Sequence, residues 1–253
     1  MYWVVATCSG HRVKLWIFFI PESAKVLSHQ PQAGGYALLR LLAPQCAAHA
    51  QPGIIVRLTN GSVLTHTAPL LRVDGRVGWI EILYSATSAL PALNMGELIT
   101  LSIVPGVVFT LPSRPCPLII GDAIGTAPTV FMADKIRQQK TFRPLILLGY
   151  DDASPFIAAP SRILVQGMPS GVIAAMPLLE DWGIPSRIAH TQGRPGCFEG
   201  TVDELAHLWL DTLPNAQRAE TEIFVSGSNA LTDAVARFAH QYQMPCQALA
   251  LTR

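Results

Sequence analysis

The sequence predicts an antiparallel β-sandwich or barrel followed by an α/β domain built on a parallel sheet. Three observations carry this expectation. Short apolar runs separated by turn residues fill the first half, and strand-like and helix-like segments alternate in the second. Where the pattern changes, a turn bounded by Gly121 and Gly125 joins an apolar run to a helix signature.

In the first half, strands are expected over residues 36–42, 53–58, 78–84 and 98–104. Gly34-Gly35, Gln51-Pro52-Gly53, Asn60-Gly61, Asp74-Gly75 and Pro105-Gly106 supply the turns, because glycine, proline, asparagine and aspartate suit tight backbone reversals. No helix of convincing length is expected before about Pro128. Residues 1–23 read as a leader, either an extra strand or a loose terminus. Its apolar run, Leu15 to Ile20, is closed by Pro21 and Glu22 and falls well short of the ~20 residues that cross a bilayer. It also lacks the basic start and small-residue cleavage pattern of a signal peptide. The first unit is therefore expected over 24–113, with the boundary near residues 111–115.

The second unit, 114–253, opens with a buried strand at 117–120. A helix follows, with Ala127-Pro128 at its start and its body over 129–139. Proline is favourable in a first turn, where its missing N–H would be unpaired anyway. Further strands are expected at 144–148, 162–165, 186–189 and 222–225, with helices over 171–182, 201–213 and 230–243. That alternation implies a parallel sheet covered by helices.

Composition narrows the function classes. Eighteen basic and 17 acidic residues leave a net charge of +1, which argues against nucleic acid or an anionic membrane surface as partner. Charged residues are only 14%, against roughly 25% in ordinary soluble domains, so the chain is apolar and not intrinsically disordered. The five cysteines, Cys8, Cys46, Cys116, Cys197 and Cys246, are scattered, with no CxxC. Such a set fits free thiols in a reducing compartment, so a cytoplasmic location is expected.

Two turns could carry chemistry. At 121–125 the glycines let backbone approach a ligand, and the helix start beyond presents free N–H groups suited to a pyrophosphate. Phe224-Val-Ser-Gly-Ser-Asn229 is a second strand end leading into a helix, at the sheet edge where open α/β sheets bind ligands. The spacing is not GxGxxG, and either turn is equally readable as a plain strand–helix connection. No GxSxG elbow, HExxH, P-loop or EF-hand loop occurs. His190 and Cys197 have no third orienting group and read as a loop histidine and a buried thiol.

The order of the two units resembles the ferredoxin–NADP reductase superfamily, and within it the electron-transfer subunits of dihydroorotate dehydrogenase. The motifs carrying the likeness run in order from about Ala24. Gly35-Tyr-Ala-Leu-Leu-Arg-Leu-Leu-Ala-Pro44 precedes Pro52-Gly53, and Gly96 precedes Gly106 and Phe109. Gly121-Asp-Ala-Ile-Gly-Thr-Ala-Pro128 is similar to the family's GGGIGxAP turn. Gly193-Arg-Pro-Gly-Cys-Phe-Glu-Gly200 and Val225-Ser-Gly227 complete the series.

The resemblance implies a flavin-binding β-barrel and a nucleotide-binding α/β domain. It also implies FAD and NAD(P)H as cofactors, and transfer of electrons to a catalytic redox subunit or diffusible acceptor. The cofactor-binding residues it implies are Pro69, Leu70, Leu71, Thr87 and Gly106 for the flavin. For the nucleotide they are Gly121, Ile124, Gly125, Thr126, Ala127, Pro128, Ser226 and Gly227. No catalytic residue and no metal ligand is assigned. Asp151-Asp152 after the strand at 144–148 tilts the nucleotide preference to NADH, since carboxylates suit a free ribose hydroxyl.

Three departures qualify the likeness. The Arg-Pro-x-Ser flavin motif stands here as Ala68-Pro69-Leu70-Leu71, with Arg57 or Arg72 as conceivable substitutes for its arginine. The Gly-Thr of the flavin cradle is Ala86-Thr87, and the CGP strand end is Ser226-Gly227-Ser228. The cluster cysteines, which follow the segment matching 244–251, have no counterpart before Arg253, so no [2Fe–2S] cluster is expected. Two functions are therefore expected as alternatives: a cluster-free electron-transfer flavoprotein, or a non-catalytic relative that binds nucleotide or acts as a regulatory or interaction module.

Overall fold

The computed structural model describes residues 21–60, 64–85, 90 and 93–251. The leader up to Ile20, Gly61 of the Asn60-Gly61 turn, and Thr87 lie outside the described residues. The first unit comprises β1 (Glu22–Gln32), β2 (Tyr36–Leu42), α1 (Pro44–His49), β3 (Ile55–Asn60), β4 (Leu64–Asp74), β5 (Trp79–Ser85) and β6 (Leu98–Val104). Its six strands close an antiparallel barrel in the order β1-β2-β5-β4-β3-β6. Alternation along each strand fills the interior: Ala37, Leu39 and Leu41 on β2 and Ile80, Ile82 and Tyr84 on β5 point inward.

The second unit begins with β7 (Cys116–Gly121), α2 (Thr126–Ile136) and β8 (Leu145–Tyr150). Short elements follow: β9 (Ala159–Pro160), β10 (Ala174–Ala175), α3 (Pro177–Asp181), β11 (Ser186–His190) and β12 (Phe198–Glu199). The chain ends through α4 (Val202–Thr212), α5 (Asn215–Ala219), β13 (Thr221–Gly227), α6 (Asn229–Gln241) and β14 (Cys246–Ala250). Six of these strands form one parallel sheet in the order β12-β11-β8-β7-β13-β14. The chain starts in the middle at β7, winds outward through β8 and β11, then returns to the other side of β7 with β13. That reversal is a topological switch point, where the carboxyl ends of β7 and β13 leave a crevice.

Helix α2 joins the two units. It is buried almost all round, as an apolar helix between two layers must be. Phe131 packs into the barrel cluster, while Ala127, Val130 and Ala133 pack with Ile119 of the sheet and Leu71 of β4. On the opposite face of the sheet, Leu118 and Ile120 pack beneath α4 and α6. The linker is anchored by Glu222, whose carboxylate accepts from Ser113 N (2.6 Å), Ser113 Oγ (2.8 Å) and Gln247 Nε2 (3.1 Å). No helix among the described residues is long and apolar enough to cross a membrane.

Several elements differ from the sequence expectation. β1 is an eleven-residue strand whose buried positions are Glu22, Ala24 and Val26, too polar a run to read as apolar. The carboxylate of Glu22 accepts from Gln45 N (3.0 Å) and Cys46 N (2.9 Å), capping α1 from outside the helix. The strand expected at 162–165 is irregular. Its backbone bonds to side chains instead: Glu180 accepts from Arg162 N (3.0 Å), and Arg187 donates to Ile163 O (2.8 Å). The helix expected over 171–182 shrinks to five residues because Pro177 begins it and holds Met176 extended.

Candidate functional site

The strand-end turns expected to carry ligand meet at the switch point. Gly121 ends β7 beside Ser226 on β13, and Gly227 lies beside Ala250 on β14. The structure thus brings Gly121, Gly125, Ser226 and Gly227 together beside one crevice, which Ile124 lines, while Thr126, Ala127 and Pro128 begin α2 and are buried. Their proximity has a backbone cause. A Cβ on Gly125 would overlap the Ser226 carbonyl oxygen, so only glycine lets the turn close on β13.

The centre of this cradle is the side chain of Asp122. Its Oδ1 accepts from Gly125 N (3.0 Å), and its Oδ2 accepts from Ser228 N (2.7 Å). Gly227, at φ +152°, makes room: a Cβ there would meet the Asp122 carboxylate at 2.5–2.6 Å. Backbone N–H groups at a strand-end turn and a helix start are what a phosphate requires. Here the chain's own carboxylate receives them.

The neighbouring helix starts are satisfied in the same way. At α4, Thr201 and Glu204 form a capping box, with Thr201 N donating to Glu204 Oε2 (2.8 Å) and Glu204 N to Thr201 Oγ1 (3.4 Å). At α6, Leu231 N donates to Ser228 Oγ (3.3 Å). The cleft these termini enclose measures about 690 Å³. Four carboxylates line it, those of Asp122, Asp151, Asp203 and Glu204, and no lysine or arginine does among the described residues.

Ser226 and Thr126 do not face the cleft. Ser226 is fully buried; its hydroxyl donates to Gly125 O (2.9 Å) and lies 3.0 Å from Thr129 Oγ1. It staples β13 to the turn. Thr126 is equally buried, donating to Asp122 O (3.0 Å) and lying 2.8 Å from the Tyr150 hydroxyl. Burial raises the Tyr150 pKa, so this phenol stays protonated. His190 is also structural: its Nε2 lies 2.8 Å from Asp152 O and its Nδ1 accepts from Gln192 N (3.2 Å).

On the barrel, β4 separates the residues expected to hold a flavin. Leu70 points into the barrel core with no exposure, beside Ala68, and cannot touch a ligand on the outer wall. A bulge between Leu70 and Arg72 turns Leu71 outward, where it is buried in the cluster shared with α2. Pro69 is half-buried, and Gly106 lies in the linker after β6. Arg72 pairs with Glu81 at 3.4 Å, and Arg57 is exposed on β3 opposite Thr67 and Ser102.

No family model matches the sequence, and no curated protein matches it. Solved structures do share the fold. The ferredoxin reductase in carbazole 1,9a-dioxygenase superposes with a TM-score of 0.65 at 13% identity, covering 92% of this chain and 70% of that one. The flavohem-like FAD/NAD binding domain of nitric oxide dioxygenase from Vibrio cholerae gives 0.63 at 13%, covering 91% and 98%. A ferredoxin NADP+ reductase from Neisseria gonorrhoeae, solved with bound FAD and NADP, gives 0.59 at 12%, covering 90% and 98%. The chain therefore has the ferredoxin reductase-like fold of FAD/NAD-binding domains.

Among the described residues, those at the strand-end cleft do not fit the pyridine dinucleotide this fold implies, and the leucines of β4 offer a flavin no polar contact. For a pyridine dinucleotide, the phosphate cradle is taken by Asp122 and the cleft carries four like charges. For a flavin, Leu71 offers hydrocarbon where a polar edge needs a partner, and Leu70 faces away.

Proposed function

We propose that this chain is a non-catalytic member of the reductase fold, acting by binding as a regulatory or interaction module rather than by hydride transfer. One observation carries the reading: the Asp122 carboxylate holds the Gly125 and Ser228 N–H groups that a dinucleotide phosphate would need. A diphosphate entering the cleft must displace that carboxylate and then lie among four acids with no cation among the described lining residues to offset its charge. The described cysteines Cys46, Cys116 and Cys197 are free thiols, which supports a cytoplasmic setting.

A second reading is the electron-transfer flavoprotein, similar to the dihydroorotate dehydrogenase electron-transfer subunits: FAD on the barrel, electrons from NADH, a redox partner as acceptor, and no cluster of its own. Half-buried Leu38, Leu83 and Pro69 favour it, since they leave apolar surface on the outer wall against which a flat ring could stack.

Absorbance and titration separate the two. Purified protein incubated with FAD and desalted is expected to be colourless, with no thermal shift on adding NADH or ADP-ribose. A flavin band that bleaches with NADH establishes the second reading instead.

A further inference from the structure

The described residues enclose a second cavity, of about 500 Å³, on the far side of α2 from the sheet, between that helix and the β4–β5 hairpin. Its electrostatics are the reverse of the strand-end cleft. Arg72, Arg76, Lys135 and Arg137 line it against Asp74 and Asp134, a net of two positive charges. We infer that this groove is a binding site for a small organic phosphate.

Both carboxylates are already engaged. Asp74 Oδ1 accepts from Arg76 N (2.9 Å) and Val77 N (3.0 Å), and these backbone bonds hold its pKa below the usual carboxylate value. Asp134 Oδ1 accepts from Arg137 Nε at 2.5 Å, which leaves the terminal nitrogens of Arg137 free to donate. No salt bridge engages Arg76 or Lys135 among the described residues. Arg72 is only loosely held: its Nε stands 3.4 Å from Glu81 Oε2, and neither atom has a hydrogen-bond partner.

Two indoles flank the guanidinium groups; Trp79 lines the groove and also carries Arg40 at 4.6 Å. Arg72 lies over Trp79 (5.5 Å) and Trp182 (5.8 Å), and Arg137 lies over Trp182 (4.7 Å). Stacking through their faces leaves the N–H edges for an anion, and a guanidinium fork matches phosphate oxygens pairwise. The cavity volume falls within the range of small-molecule sites, roughly 300–1,000 Å³. This site is independent of the cradle at Asp122, from which α2 separates it.

Isothermal titration at low salt, with indole fluorescence as a second readout, tests the inference on the full chain. The probes are AMP, ribose 5-phosphate, inorganic phosphate and adenosine. AMP is expected to bind and change the emission, and adenosine is expected not to bind. Inorganic phosphate binding as tightly as AMP would also support the site and show that the organic body adds nothing. Arg76→Glu and Lys135→Glu, both on exposed or half-exposed positions, are each expected to weaken AMP by at least about tenfold. No binding of AMP or phosphate up to about 10 mM overturns the inference. So does AMP binding that neither charge reversal alters, since that places the ligand elsewhere. Loss of the AMP signal in these variants, with NADH still not binding to the wild type, keeps this result separate from the reading of the cradle.

Discussion

Replacing Asp122 with alanine tests directly whether its carboxylate is the built-in occupant of the cradle. The change removes two hydrogen bonds, to Gly125 N at 3.0 Å and Ser228 N at 2.7 Å; Ser228 lines the cleft and Gly125 is buried beside it. A hydrogen bond to a charged group contributes roughly 1.5–3 kcal/mol, and the low end applies because water can partly replace the lost acceptor. The expected loss is therefore about 3 kcal/mol. Relief of repulsion from Asp151, Asp203 and Glu204 offsets only a fraction of this, since those groups face solvent. At roughly 2–4 °C per kcal/mol for a chain of this size, the midpoint should fall by about 6–12 °C. The assay is thermal and urea unfolding followed by circular dichroism, first in a buffer free of phosphate and then with 10 mM inorganic pyrophosphate. With Arg76→Glu introduced into both proteins to silence the groove beyond α2, pyrophosphate should raise the midpoint of the Asp122→Ala protein and leave that of its Asp122 counterpart unchanged. A loss under about 0.5 kcal/mol, or equal stabilisation of both proteins by pyrophosphate, would refute the argument.

Three further outcomes follow from the same structure. Burial, and then the Glu22 carboxylate, push the Cys46 thiol up to about 12, so this cysteine should resist an aromatic disulfide reagent at pH 8 and react only on unfolding, as a stopped-flow trace would show. His66 has its pKa lowered from the ordinary 6.5 by burial, and its Nε2 is buried without a hydrogen-bond partner. Because the folded pKa is depressed, the stability tied to neutral His66 is present above pH 6.5 and is lost as pH falls towards and through the folded value; urea midpoints from pH 7.5 to 5 should show this slope, and His66→Phe should flatten it. Thr201→Ala removes the capping box at α4 and should cost about 1 kcal/mol by urea titration, with Thr201→Ser restoring most of it.

The fold was legible because its signals are local. The apolar run at β7, the tight glycine turn and Pro128 in the first helical turn each declare themselves within a few residues, and β13 with α6 does the same. Elements whose backbone is held by distant side chains were not legible. Residues 162–165 look like a strand until Glu180 accepts from Arg162 N and Arg187 donates to Ile163 O. β1 hides because one of its buried residues, Glu22, is an acid serving a helix that begins 22 residues later. At the site, the aspartate in place of the turn's second glycine was visible in the sequence. Its meaning was not, because the partner at Ser228 lies 106 residues away and arrives only when β13 docks beside β7. The orientations of Leu70 and Ser226 were hidden for the same kind of reason: a bulge sets one and a cross-strand contact sets the other.

A cradle of converging N–H groups is a liability when no ligand fills it, since helix starts leave several backbone donors unpaired. In a protein that binds a dinucleotide, the phosphate resolves this only while bound. Asp122, Glu204 with Thr201, and Ser228 resolve it permanently, from within the chain. An internal group competes at an effective concentration set by its tether, in the millimolar range or above, so a diffusing phosphate must outbind it by its contacts alone. Among the described residues the acidic cleft supplies no cation for such contacts, whereas the groove beyond α2 supplies four. The two cavities therefore divide the surface by charge. One is a sheet edge closed by its own carboxylate, and the other is a basic, indole-lined groove where an anion would meet donors that no carboxylate has fully engaged. Binding at the second needs no rearrangement of the first, which is how a reductase fold can serve as a binding module with its strand-end crevice shut.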